Sequence, residues 1–162
     1  MTHIVNDSPA AENEDLTAIR VHDHLPHSPA TVWRALTDSR LIARWLMQND
    51  FRLELGHEFN FHTTPMPAVK FDGVVHCKVL AIEPERLLRY SWRSKNAENA
   101  LDSIVTWRLV PEGDGTHLYL EHTGFDPDHP LQQIGRKMMG GGWIPIVRKI
   151  AAVLDEENSR ER

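Results

Sequence analysis

The sequence has a single cysteine, Cys77, and this scarcity excludes a fold held together by internal disulfides. It has no basic run and a formal net charge of −5, which argues against binding to nucleic acid or to an anionic membrane surface. No apolar run approaches the ~20 residues that span a bilayer, and no basic region followed by an apolar run begins the chain. These absences predict a cytoplasmic protein without a membrane span.

What is present fits one globular domain that needs neither a disulfide nor a metal to fold. The chain has 162 residues, of which 41% are hydrophobic and 25% charged, and both shares are ordinary for such a domain. A chain of this length buries roughly 70% of its unfolded surface. Polarity at the two ends predicts a disordered arm at residues 1–14, a single domain at 15–157 and a frayed tail at 158–162.

The first part of the domain predicts a strand followed by two short helices. Residues 16–25 alternate between apolar and polar side chains, which is typical of a half-buried strand. Ser28 is a natural N-cap and Pro29 a natural first helical residue. Asp38 or Ser39 can cap a second helix, which carries an apolar stripe.

The rest of the chain predicts a meander of strands and a late helix. Turn residues separate period-two segments at 51–55, 58–63, 71–82, 87–93, 103–110 and 116–122. A helix is predicted from about Leu131, with a break at residues 140–142 and a second segment that has Pro145 in its first turn. One strand, two short helices, six strands and a long helix make an α+β chain, in which one antiparallel sheet covers the last helix.

Strand parity divides the side chains of this sheet into an inner and an outer set. The inner wall is predicted to hold apolar and aromatic side chains with a few isolated polar groups: Phe59, Phe61, Val75, Cys77, Tyr90, Trp92, Trp107, Leu120 and His122, with Thr63 beside them. Trp143 and Val147 lie on the facing side of the last helix. Two interpretations stay open: an apolar concavity of the kind that binds small molecules, or a solid core filled by the same rings.

His122 is the best candidate on this wall for acid–base chemistry near neutral pH. It either contacts a ligand or is a buried histidine tied to a backbone carbonyl, and the second interpretation is favoured. His22 and His24 share an outer face, but no inward carboxylate or cysteine completes a metal set. Cys77 has no base beside it, and neither G-x-S-x-G nor H-E-x-x-H occurs. We therefore predict no catalytic residue, no metal and no cofactor.

A family resemblance rests on segments that occur in order along the chain: SPATVWRALTD at 28–38, ARWL at 43–46, EFNF at 58–61, GVVHCKVLAIEPERLLRYSW at 73–92, VTWRLVPEGDGTHLYLEHTGF at 105–125 and GGW at 141–143. In these segments the chain resembles the SRPBCC superfamily of START and Bet v 1-like proteins. The resemblance is to the branch of activator of Hsp90 ATPase homologue 1-like proteins, and it runs from about residue 18 to residue 154.

The resemblance implies a helix-grip (Bet v 1-like) fold, in which a curved seven-stranded antiparallel sheet surrounds a long C-terminal helix and two short helices close one end. It also implies a deep cavity that takes apolar or aromatic small molecules. The superfamily has no fixed catalytic set, so the resemblance transfers no active-site residue. Carriers, sensors, cyclases and co-chaperones share the fold, which by itself does not choose among them.

Residues and resemblance together predict a non-enzymatic protein that binds a hydrophobic or aromatic small molecule in an internal cavity, where Tyr90 and His122 orient one polar group of the ligand. One alternative is a co-chaperone-like module that acts on an Hsp90-type ATPase through its outer surface, although the extra N-terminal domain of the full activators is absent. Another is a cyclase or hydrolase with His122 as acid or base. A homodimer could form through an exposed sheet edge.

Overall fold

The computed structural model describes residues 5–6, 14–96 and 98–160. In chain order its elements are β1 (Val5–Asn6), β2 (Ala18–Leu25), α1 (Pro29–Thr37), α2 (Ser39–Trp45), β3 (Gln48–Asn49), β4 (Glu58–His62), β5 (Val74–Glu83), β6 (Leu87–Ser94), β7 (Leu101–Glu112), β8 (Gly115–Thr123) and α3 (Pro130–Arg160). A short 3₁₀ turn, Pro67–Val69, lies in the connection between β4 and β5. Most of the predicted disordered arm and the end of the predicted tail, residues 161–162, lie outside the described residues.

The strands form one antiparallel sheet in the order β1-β2-β8-β7-β6-β5-β4-β3. Among the described residues, β2 to β8 make the predicted sheet of seven strands, and the two-residue β1 extends its edge beside β2. The sheet curls around α3, while α1 and α2 pack against α3 at one end. The predicted α+β helix-grip architecture is confirmed.

Both predicted helix caps are confirmed. The Ser28 hydroxyl accepts a hydrogen bond of 3.2 Å from the backbone N–H of Thr31, at the start of α1. The Asp38 carboxylate accepts one of 2.9 Å from the backbone N–H of Arg40, at the start of α2. Each bond satisfies a donor that the first turn of a helix leaves without a partner.

The strand predicted at residues 51–55 is wrong, because that segment is irregular and the edge of the sheet is β3 instead. Side chains here accept hydrogen bonds from backbone N–H groups that would otherwise pair with a neighbouring strand. The amide oxygen of Asn49 accepts from the N–H of Phe51 at 3.0 Å, and the carboxylate of Asp50 accepts from the N–H of Asn60 at 2.7 Å. Asn and Asp compete with regular structure in this way, so the apolar alternation of 51–55 does not produce a strand.

The break predicted at residues 140–142 is also wrong, since α3 runs from Pro130 to Arg160 without interruption. Pro145 therefore lies in the interior of the helix, where it lacks the N–H that would bond to the carbonyl of Gly141. The helix continues because one of its faces is buried against the sheet and the short helices, at Trp143, Val147, Ile150 and Leu154. Tertiary packing of a helix face outweighs local propensity. No helix in the described ranges has the length and apolar character to cross a membrane.

Strand parity is confirmed for the nine predicted inner residues of the strands, all of which are buried: Phe59, Phe61, Val75, Cys77, Tyr90, Trp92, Trp107, Leu120 and His122. Trp143 and Val147 on α3 are buried as well. Thr63, which was predicted on the same wall, is exposed because it lies just past the end of β4. The core is thus a single cluster between the concave face of the sheet and α3.

Candidate functional site

Four buried tryptophans from four elements form a continuous chain of ring contacts. Trp45 at the end of α2 meets Trp107 on β7 with 5.6 Å between ring centroids. Trp107 meets Trp143 on α3 at 5.8 Å, and Trp143 meets Trp92 on β6 at 5.5 Å. The rings are tilted or edge-to-face, which are favourable arrangements for aromatic pairs. This tryptophan chain is part of the packed core between the sheet and the helices.

His122 lies beside this chain, and its hydrogen bonds assign its tautomer. The indole Nε1–H of Trp143 can only donate, so Nδ1 of His122 accepts from it at 3.2 Å. The hydroxyl of Ser103 donates to the carbonyl of Trp92 at 2.6 Å, so it accepts from Nε2–H of His122 at 2.8 Å. Burial lowers the pKa of His122 to about 3, and the ring is neutral. Histidine and backbone carbonyl are therefore linked through Ser103 rather than directly.

The other two titratable groups of the inner wall are also neutral. The hydroxyl oxygen of Tyr90 accepts a hydrogen bond of 2.9 Å from the indole N–H of Trp107, and burial raises the pKa of Tyr90. Burial also raises the pKa of the Cys77 thiol, so a thiolate does not form near neutral pH. Neither group is prepared for nucleophilic or acid–base chemistry.

A pocket of about 360 Å³ opens at the other end of the hollow. Its walls are formed by the N-terminal half of α3, the residues that follow α2 and the connection between β4 and β5. The end of β6, the start of β7 and the segment between these two strands complete the lining. Trp92, the last member of the tryptophan chain, forms part of its floor. Apolar side chains make most of the surface, including Val69, Phe71, Leu101 and Phe125.

Methionines are concentrated around this pocket. The chain has five methionines, and four of them line it: Met47, Met66, Met138 and Met139. A methionine side chain is unbranched and polarisable, so it adapts to irregular shapes and makes favourable contacts with aromatic rings. Sequence reasoning missed this group, because its members come from three separate segments that no local pattern connects.

The polar part of the lining is neutral and, among the residues that the structure describes, it includes four side chains: Thr63, Ser94, Asn99 and Gln132. The amide of Gln132 is engaged with the backbone. Its Nε2 donates to the carbonyl of Ala100 at 2.8 Å, and its Oε1 accepts from the N–H of Asp126 at 2.7 Å. Nδ2 of Asn99 donates to the carbonyl of Val69 at 2.6 Å. These bonds tie the connection between β6 and β7 to the other walls of the pocket.

Two of the predicted cavity residues, Val75 and Trp92, line this pocket. The other nine lie in the packed core and not on the pocket surface: Phe59, Phe61, Cys77, Tyr90, Trp107, Leu120, His122, Trp143 and Val147. The pocket is thus displaced from the predicted position towards the N-terminal half of α3. A role for those nine in contacting a ligand stays a prediction.

On the outer face, His22 and His117 belong to a contact network. Nδ1 of His22 lies 2.8 Å from Nε2 of His117, whose Nδ1 lies 3.0 Å from the carboxylate of Glu112. The ring of Tyr119 stacks on both imidazoles. Across the described part of the chain, no group of three or more His, Cys, Asp or Glu side chains is arranged to hold a metal ion.

Comparison with known proteins identifies one family. The family model described as activator of Hsp90 ATPase homolog 1-like protein matches residues 26–155, which is most of the chain. No curated protein matches this sequence.

Solved structures of similar proteins include MLL2253 from Mesorhizobium loti, which is 36% identical, with coverage of 86% of this chain and 97% of that chain and a TM-score of 0.75. CalU16 from Micromonospora echinospora is 23% identical, with coverage of 99% and 88% and a TM-score of 0.67. DynU16, a protein of the dynemicin biosynthetic locus, is 22% identical, with coverage of 88% and 48% and a TM-score of 0.70. This chain spans about half the length of DynU16, and the last two likenesses show the fold alone.

Proposed function

The chain belongs to the family of activator of Hsp90 ATPase homolog 1-like proteins, and from this premise we propose that it binds an apolar or aromatic small molecule in the pocket beside the N-terminal half of α3. The observation that carries the proposal is the pocket itself. Its volume of about 360 Å³ lies within the usual range for small-molecule sites. Its surface is predominantly apolar with a few neutral polar groups, which is the usual composition of such sites.

The chemistry of the lining supports an uncharged ligand. No lysine, arginine, aspartate or glutamate from the described residues lines the pocket. A charged ligand would lose hydration on entry without gaining a partner of opposite sign, and that loss is costly. A neutral ring system loses little hydration and gains contacts with Trp92, Phe71 and the methionine side chains.

Binding is favoured over catalysis by the state of His122. Its only basic nitrogen accepts a hydrogen bond from Trp143, its pKa lies near 3, and it does not line the pocket. A cyclase or hydrolase that depends on this residue would first have to break that bond. The Hsp90-type partner, the homodimer and the cytoplasmic location stay predictions from the sequence and the resemblance.

Two glycines of α3 provide a matched test. Gly135 lines the pocket, and a Cβ placed there meets no atom within 4 Å. Gly141 lies on an exposed part of the same helix, and a Cβ there also meets no atom within 4 Å. Both substitutions to leucine favour the helix by about 0.5–1 kcal/mol, so both variants should fold. Only Gly135→Leu places side-chain volume where the ligand would lie.

We expect titration calorimetry to show binding of a neutral bicyclic aromatic probe, 1-methylnaphthalene, to the wild-type protein. Gly135→Leu should weaken this binding at least tenfold, and Gly141→Leu should leave it unchanged. Equal binding by all three proteins would place the probe elsewhere and contradict the proposal, as would the absence of binding to the wild type.

A further inference from the structure

The polar side chains of the pocket wall differ in whether they can still form a hydrogen bond. Both ends of the Gln132 amide are engaged with the backbone, and Nδ2 of Asn99 donates to the carbonyl of Val69. Oδ1 of Asn99 is shielded from solvent, so a molecule in the pocket does not reach it. The hydroxyls of Thr63 and Ser94 have no hydrogen-bond partner among the described residues. Of the polar groups in the wall, these two hydroxyls are the ones left for a ligand.

Strand geometry places the side chain of Ser94 on the pocket side of the sheet. Ser94 ends β6 and follows Trp92 by two residues, so both side chains point to the concave face. Its neighbours across the sheet are Leu101 on β7 and, by the register of β5 and β6, Val75. Trp92, Leu101 and Val75 all line the pocket. The hydroxyl of Ser94 is therefore surrounded on its own face by apolar pocket residues.

The two free hydroxyls differ in their exposure to water. Thr63 is exposed just past the end of β4, so water still reaches its hydroxyl when a molecule lies in the pocket. Ser94 is half-buried, and solvent reaches its hydroxyl only from the pocket side. A molecule that fills the pocket displaces this water from Ser94. A hydroxyl that loses water without gaining a partner costs free energy, and a polar atom on the bound molecule removes that cost.

We propose that the hydroxyl of Ser94 forms the polar contact with the bound molecule, and that the natural ligand is a neutral ring compound bearing a hydroxyl or carbonyl oxygen. The inference rests on the proposed function and narrows it. A serine hydroxyl both donates and accepts, so it pairs with either oxygen, whereas a bare hydrocarbon leaves it without a partner. The contact lies at Ser94 rather than at Tyr90 and His122, the pair predicted from the sequence, whose polar atoms are engaged within the core.

The test compares 1-naphthol with 1-methylnaphthalene, which replaces the hydroxyl by a methyl group at nearly constant shape. Their dissociation constants are measured on the wild type, on Ser94→Ala and on Ser94→Thr. The first variant lacks the hydroxyl of residue 94, whereas the second keeps it and suits a strand. The ratio of the two constants cancels any general change in the pocket. We expect Ser94→Ala to reduce the preference for 1-naphthol about tenfold, and Ser94→Thr to retain it.

A second measurement needs no variant. In an NMR titration of the wild type, both probes should shift the backbone amide resonances of Ser94 and Leu101, and binding that leaves these resonances unmoved would overturn the proposal. If the preference for 1-naphthol is unchanged in Ser94→Ala, or is lost equally in Ser94→Thr, the role of the hydroxyl is refuted while the pocket stands. If neither probe binds the wild type, the proposed function itself fails.

Discussion

At the scale of single residues, His122 illustrates how a titratable group can be buried without becoming reactive. Its two nitrogens have one donor and one acceptor as partners, Trp143 and Ser103, and the ring is fully shielded from solvent. A histidine in this setting is a neutral structural hydrogen-bonding unit. The ring becomes charged only when the solution is acidic enough to protonate it.

Because His122 is buried and neutral, we expect the free energy of unfolding to start falling below pH 6.5, before the carboxylates titrate. The folded-state pKa is about 3 and the unfolded one about 6.5, so between these values the unfolded chain binds a proton that the folded chain does not. Stability should therefore be complete above pH 6.5 and fall as the pH decreases towards 3, by up to about 1.4 kcal/mol per pH unit. Urea unfolding from pH 7.5 to pH 4.5 measures this slope.

His122→Asn provides the control, since its Oδ1 can accept from Trp143 in place of Nδ1 and its amide does not titrate. The variant should be less stable at pH 7 and lose less stability between pH 6.5 and pH 4.5. Asp15, whose pKa is lowered to about 2 by its hydrogen bonds to Thr17, affects stability only below about pH 3.8 and does not disturb this window. Identical slopes for variant and wild type would contradict the assignment to His122.

At the scale of elements, the connection between β4 and β5 shapes the pocket through one close backbone approach. Gly73 has a φ of +89°, and a Cβ there would lie 2.5 Å from the carbonyl oxygen of Thr63. The backbone N–H of Thr63 donates to the carbonyl of Gly73 at 2.8 Å. The connection can close tightly beside the pocket only because residue 73 has no side chain.

Gly73→Ala should destabilise the protein by about 2–4 kcal/mol, since it adds a steric clash to the strain of a positive φ. Gly56→Ala is the matched control, because Gly56 has a similar φ of +83° but open space around the missing Cβ. It should cost only the strain, about 1–2 kcal/mol. Denaturant midpoints measure both, and equal losses would show that the contact with Thr63 is unimportant.

Elements were predictable from the sequence where local pattern and tertiary environment agree. Alternation assigned the buried face of β5 to β8 correctly, because a period of two leaves no other way to bury the apolar side chains. It failed at residues 51–55, where Asn49 and Asp50 take the backbone donors, and at residues 140–142, where burial of a helix face overrides three glycines. Pattern also cannot tell which buried side chains border open space, and of the predicted cavity residues Val75 and Trp92 line the pocket.

At the scale of the whole molecule, the hollow under the sheet is divided into a filled end and an open end. The filled end holds the tryptophan chain, and the open end holds the pocket with its methionines. The helix α3 serves both, since Trp143, Val147, Ile150 and Leu154 pack into the core while Gln132, Gly135, Met138 and Met139 line the pocket. A rigid base beneath an adaptable opening suits a protein that binds ring compounds of varied shape.

The N-terminal half of α3 is held in place by a buried ion pair. Arg136, only 5% exposed, pairs with the carboxylate of Glu14 and also donates to Gln133 at 2.9 Å. Glu14→Ala should destabilise the protein by about 2–4 kcal/mol, because it leaves a buried guanidinium without its counter-charge. Thermal and urea unfolding both report the loss.

A double variant distinguishes two effects: the loss of the attraction between Glu14 and Arg136, and the cost of leaving a buried guanidinium unpaired. Glu14→Ala combined with Arg136→Met should recover most of the stability, since no buried charge is left unpaired. Glu54→Ala is the surface comparison, because its partner Arg52 is 71% exposed, and it should change the unfolding free energy by less than about 1 kcal/mol. If the double variant is as unstable as Glu14→Ala, the pair is not the cause.

The tryptophan chain also has an optical consequence. Indoles separated by less than 6 Å exchange excitation energy readily, so light absorbed at Trp45 or Trp107 can migrate along the chain to Trp92, at the floor of the pocket. A molecule that touches Trp92 then alters emission gathered from several chromophores rather than one. The four indoles thus give the proposed binding an intrinsic, label-free fluorescent readout.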